Sequence, residues 1–122
     1  MKKNFQCSVQ MDVLLHLLSS DEGGRIDCIT TGYRPSIEFG ESGKSDPPNF
    51  WLSEVSLKAQ NVMWPGEVGE AIVTLLLHRD EDFPTGLSGE FRAESELILR
   101  EGNRKTGTAK VISIISVKIE DI

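Results

Sequence analysis

Phe91-Arg92-Ala93-Glu94-Ser95-Glu96-Leu97-Ile98-Leu99-Arg100-Glu101-Gly102-Asn103 carries a strict two-residue alternation that ends in a glycine turn. In an extended chain Phe91, Ala93, Ser95, Leu97 and Leu99 fall on one side. Arg92, Glu94, Glu96, Ile98 and Arg100 fall on the other. A period of two marks a strand with one buried face. Glu101-Gly102-Asn103 then makes a hairpin turn, and Gly107 to Ile119 reads as the closing strand.

Moving back along the chain, the acidic stretch from Arg79 to Gly89 reads as a loop and Val68 to His78 as an apolar strand. Val68, Ile72 and Leu76 lie on one side of it, with Val73, Leu75 and Leu77 on the other, the pattern of a strand covered on both faces. Pro65-Gly66 is a tight turn. Phe50 to Val62 reads as a strand in which Leu52, Val55, Leu57 and Ala59 fall out of register, which predicts a bulge. Gly40 to Asn49 is a polar loop. Ile37 and Phe39 alternate with Ser36 and Glu38 after Pro35, which lacks an amide proton and forces Arg34 toward extended geometry. Ile26 to Thr30 is a short extended piece. Val9 to Leu18 is a strand with Met11, Val13, Leu15 and Leu17 on one face, although leucine-rich runs are also compatible with a helix. Ser19-Ser20-Asp21-Glu22-Gly23-Gly24 ends it in a turn. Strands at this spacing, separated by turn signals, mean an all-β barrel or sandwich. Phe91, Leu97, Leu99, Ile72 and Val111 are the expected core.

The 122 residues form one domain, 1–122, with 39% hydrophobic and 26% charged residues. Thirteen Lys and Arg against 19 Asp and Glu give a net charge of −6. Nucleic-acid binding usually shows as a basic excess, so polyanions start at a disadvantage that only a local basic patch could overcome. The apolar runs Val13 to Leu18 and Ala71 to Leu77 are far shorter than the ~20 residues of a membrane-spanning helix, and no signal-peptide pattern follows Met1. The expectation is a cytoplasmic protein, with no membrane contact and with Cys7 and Cys28 reduced.

No catalytic or cofactor site emerges. Gly43-Lys44-Ser45 ends like a phosphate-binding loop, but the glycine needed five positions earlier is Glu38, and Pro47-Pro48 follows where a helix should begin. No nucleotide is expected. His16 and His78 lack partners at metal-ligand spacing, and neither Glu67 with Glu70 nor Asp80-Glu81-Asp82 has the spacing of a calcium loop. Cys7 or Cys28 as a nucleophile would need an adjacent base and electropositive surroundings, and Cys28 reads as an ordinary small residue near a strand. The sequence therefore predicts a protein without catalytic residues, metal or cofactor.

Four segments, in order, carry a resemblance: Leu18-Ser19-Ser20-Asp21-Glu22-Gly23-Gly24-Arg25; Gly32-Tyr33-Arg34-Pro35 with Phe39; the weaker Met63-Trp64-Pro65-Gly66-Glu67; and Arg100-Glu101-Gly102-Asn103-Arg104 with Gly107. Together they resemble the C-terminal, third β-barrel domain of bacterial elongation factor Tu, standing alone without its GTPase domain. The resemblance implies a six-stranded antiparallel β-barrel. Departures are Ile26 for a common histidine, Asn103 for a glycine, Ala109 for another glycine, and longer loops at 40–51 and 79–90.

In that family the third domain contacts the T-arm of aminoacyl-tRNA, packs on the GTPase domain and is touched by the nucleotide exchange factor. The resemblance carries Arg25 over as part of that T-arm-contacting surface, with the Gly23-Gly24 turn able to hold its side chain outward, where it could reach a phosphate. Arg104, Lys105 and Lys110 are further candidates for a partner or nucleic-acid surface. Arg34 and Arg100 are expected in ion pairs within the barrel or against an aromatic ring. The acidic balance favours a protein partner, with tRNA as the alternative.

Overall fold

In the computed structural model, residues 5–39, 51–79 and 96–121 are described. Eight strands follow in chain order: β1 Phe5–Leu17, β2 Ile29–Thr30, β3 Ser36–Phe39, β4 Trp51–Leu57, β5 Val62–Met63, β6 Val68–Arg79, β7 Glu96–Glu101 and β8 Arg104–Asp121. Six of them close an antiparallel barrel in the order β1-β6-β4-β3-β7-β8, while β2 and β5 pair as a separate two-stranded ribbon. The fold is an all-β, six-stranded antiparallel barrel. The Gly43-Lys44-Ser45 segment, the Asp80-Glu81-Asp82 run and Phe91 lie outside the described residues, as do the side chains of Cys7 and His78.

The barrel closes because β1 pairs along nearly its whole length with both β6 and β8, from Phe5↔Arg79 to His16↔Val68 and from Phe5↔Asp121 to Leu17↔Gly107. Alternation along β1 sends Val9, Met11, Val13, Leu15 and Leu17 inward, and all five are buried. They meet Ile37, Val55, Val73, Leu75, Leu97, Leu99 and Val111, with Ala71 and Ala109 at tighter places in the same core. Closure gives each of the six barrel strands a neighbour on both sides among the described residues. The ribbon seals one end by inserting Ile29 and Met63 into this core. Gly69 leaves the room: a Cβ there would lie 2.7 Å from Met63 Cε.

Three sequence expectations need correction. The stretch Phe50 to Val62 is two strands, β4 and β5, separated by a bend at 58–61. Within β4 the register to β6 runs unbroken from Leu52↔Leu76 to Leu57↔Ala71, so no bulge forms. Leu52 simply faces outward, and Ser53 takes the inward place because its hydroxyl donates to Pro35 O at 2.6 Å. A polar group can occupy a core position when its hydrogen bond is made.

The strand β6 is covered on one face only. Ala71, Val73 and Leu75 point in, whereas Val68 is exposed and Ile72 stands on the outer face, outside the core. Among the described residues the bulges lie in β8, where the sequence does not predict them. Register shifts between Gln10 and Met11 and between Asp12 and Val13 leave Ile115 and Ile112 without partners on β1. A third shift, between Leu99 and Arg100, does the same to Thr106 opposite β7.

Candidate functional site

One end of the barrel gathers the segments that the sequence singled out. The chain leaves β1 through a 3-10 turn, Ser20–Glu22, closed by a capping box in which Ser19 Oγ accepts from Glu22 N and Glu22 Oε1 accepts from Ser19 N. The Ser19 amide holds the Glu22 carboxyl below the usual carboxylate range. Gly23 ends the turn at φ 89°, a left-handed conformation that glycine adopts without strain. Gly24 is required for space, since a Cβ would sit 2.4 Å from the carbonyl oxygen of Leu18. The turn at Pro65-Gly66 lies alongside, with Gly66 N donating to Leu17 O and Leu17 N to Glu67 O. Leu18 N donates to Thr106 O, which ties the same corner to the β7–β8 hairpin.

This double-glycine turn delivers Arg25 inward along the surface, not outward. Its Nη1 pairs with Glu101 Oε2, its Nε donates to Asp27 O at 3.3 Å, and its guanidinium carbon lies 5.2 Å from the centre of the Tyr33 ring. The expectation of an outward Arg25 is therefore corrected. An opposite charge and an aromatic face are both within reach, and together they outcompete bulk water for a weakly hydrated guanidinium.

Tyr33 is the second member. Its backbone is anchored to β4 through Val55 N donating to Tyr33 O at 2.8 Å and Gly32 N to Val55 O at 2.9 Å. The phenol reaches Glu101 Oε2 at 2.6 Å and Thr106 Oγ1 at 2.9 Å. A phenol carries one proton, so donation to Glu101 requires Thr106 to donate to Tyr33. The more distant Leu99 O, 3.4 Å from Thr106 Oγ1, is the weaker acceptor. Burial, then the hydrogen bond to Glu101, pushes the Tyr33 pKa well above its ordinary value. Burial would raise the Glu101 carboxyl too, but hydrogen bonds from Tyr33 and Arg25 outweigh it and hold the pKa below the usual range. At neutral pH the phenol is thus protonated, Glu101 ionised and Arg25 cationic. The assembly is a charge-balanced clamp joining the loop around Arg25, the segment before β3 and the last hairpin.

The remaining candidates scatter. Arg104 and Lys105 are exposed on the hairpin at this end. Lys110 is exposed further along β8, opposite Leu14 of β1 and Glu96 of β7, roughly 16 Å from Lys105 at ~3.3 Å per residue. The structure therefore groups Arg104 with Lys105 but not with Lys110. Arg34 and Arg100 take the ion pairs expected of them, with Glu54 at 3.2 Å and with the buried Glu38 at 2.6 Å.

Tyr33, Glu101 and Thr106 are not among the residues expected at a partner surface. Tyr33 and Glu101 sit inside two of the quoted motifs, and Tyr33 is the single tyrosine of the chain, which was a usable signal. Cys28 carries a free thiol. Among the described residues no three His, Cys, Asp or Glu side chains are placed to hold a metal ion, and no helix is long and apolar enough to cross a membrane. No family model matches the chain, and no curated protein matches it.

Proposed function

We propose that this chain is a non-catalytic binding module, related to the third domain of elongation factor Tu, that engages a protein partner. The observation that carries this reading is the internal neutralisation of Arg25, the residue the resemblance offered for a phosphate. A guanidinium already paired with Glu101 and held over Tyr33 has no net charge left to neutralise a phosphate, so it displaces no counterion from RNA, and that displacement drives such binding. At the same end Ile26 and Trp64 are 80% and 55% exposed. An exposed tryptophan beside a rigid turn is the kind of anchor that protein interfaces favour. The net charge of −6 points the same way.

The partners suggested by the resemblance are proteins that recognise elongation factor Tu, with this chain acting as mimic, competitor or immunity-like decoy. The test is competition: purified chain added to elongation factor Tu and its nucleotide exchange factor should displace one from the other. Trp64→Ala should weaken that displacement at least tenfold, about 1.4 kcal/mol. Failure of the wild-type chain to displace either protein, or to bind either directly, would refute this assignment of partner.

A further inference from the structure

We infer that the outer face of β6, β1 and β8 is a docking surface for a second copy of this chain, arranged about a two-fold axis parallel to β1. This does not depend on the proposed partner at the barrel end.

The register places residues on this face in rows. Leu14 stands between Glu70 on β6 and Lys110 on β8, and the next row holds Ile72, Asp12 and Ser113 with the bulged Ile112. Beyond it come Thr74, Gln10 and Ser116 with the bulged Ile115. Leu14, Ile112 and Ile115 are 42%, 46% and 49% exposed. A bulge adds an unpaired residue and re-aims its side chain. Both such residues on this seam are isoleucine and exposed, where a face meant only for water would take a polar side chain.

Charge selects the occupant and its orientation. Glu70 and Lys110 are both exposed and flank Leu14 at one strand spacing each, roughly 10 Å apart. A two-fold axis running along β1 exchanges the two sides of the face. It sets Leu14 on the Leu14 of the other copy, Glu70 on Lys110, Lys110 on Glu70, and Ile72 against Ile112. An axis across the strands through the row of Leu14 would set Glu70 on Glu70 and Lys110 on Lys110. Asp12 does meet its own copy, but Lys58 Nζ lies 3.1 Å from its carboxylate and cancels the charge. Barrel curvature confines the contact to these strands, so the interface falls below the ~800 Å² per partner of a stable complex and the dimer depends on concentration.

Sedimentation velocity of the full chain, from low to high micromolar concentration, tests this. The wild type should pass from monomer to dimer across the range. Glu70→Lys alone and Lys110→Glu alone should each weaken the dimer at least tenfold, because both contacts become like-charged. Mixing these two variants should restore it, since every contact in the mixed dimer is again between opposite charges. Rescue on mixing occurs only between folded chains, so misfolding cannot imitate it. A wild type that stays monomeric throughout, single variants that dimerise like the wild type, or a mixture without rescue would each overturn the inference.

Discussion

The phenolic oxygen of Tyr33 lies 2.6 Å from Oε2 of Glu101, a hydrogen bond that joins residues 68 positions apart. The same carboxylate oxygen receives Arg25, so one atom ties the loop after β1 to the hairpin between β7 and β8. The clamp forms at the barrel end where the resemblance had placed a surface for partners.

Tyr33 is the single tyrosine of the chain, so ultraviolet titration of tyrosinate reads this site alone. Its raised pKa means that the folded protein should give no tyrosinate step near pH 10, where a free phenol ionises. Glu101→Gln should move the step downward, though not fully to the ordinary value, because burial is the larger cause. A wild-type step near pH 10 with the fold intact would show the clamp to be open.

Glu101 governs the acid side. Its folded pKa is lowered, so its contribution to stability is present above the ordinary carboxylate pKa of about 4.3 and lost as pH falls through the lowered value. Urea midpoints at neutral and acid pH should fall further apart in the wild type than in Glu101→Gln.

Packing predicts a contrast between two apolar strand residues. Leu97→Ala empties a fully buried position and should cost about 2–5 kcal/mol in urea unfolding. Ile72→Ala, on the outer face, should cost less than about half as much. Gly24→Ala, which forces a methyl group against the rigid Leu18 carbonyl, should cost about 1–3 kcal/mol.

Strands with one polar face were legible. The alternation in β1 puts Met11, Val13, Leu15 and Leu17 on one face, and that face is the buried one, while Leu97 and Leu99 in β7, expected in the core, are buried there. Ile72 and Leu52 misled because this barrel carries apolar residues on its outside, and periodicity cannot say which apolar face is solvated. The bulges at Ile112 and Ile115 were hidden because they depend on how β8 registers against β1 across the closed barrel, not on local sequence. At the site, the capping box and the glycine turn were readable as a turn. The fate of Arg25 was not, since Glu101, 76 positions away, comes within reach only through the fold.

Whether this barrel end serves a protein or a nucleic acid is decided by a filter-binding titration of tRNA at two salt concentrations. Charge reversal belongs at Arg104 and Lys105, which are exposed, because Arg25→Glu would also break the clamp. No saturable tRNA complex is expected even at low salt, for the wild type or for Arg104→Glu/Lys105→Glu. A saturable complex whose affinity falls steeply with salt, by a slope of about 0.9 per phosphate contacted on a duplex, and which the double reversal abolishes, would contradict it.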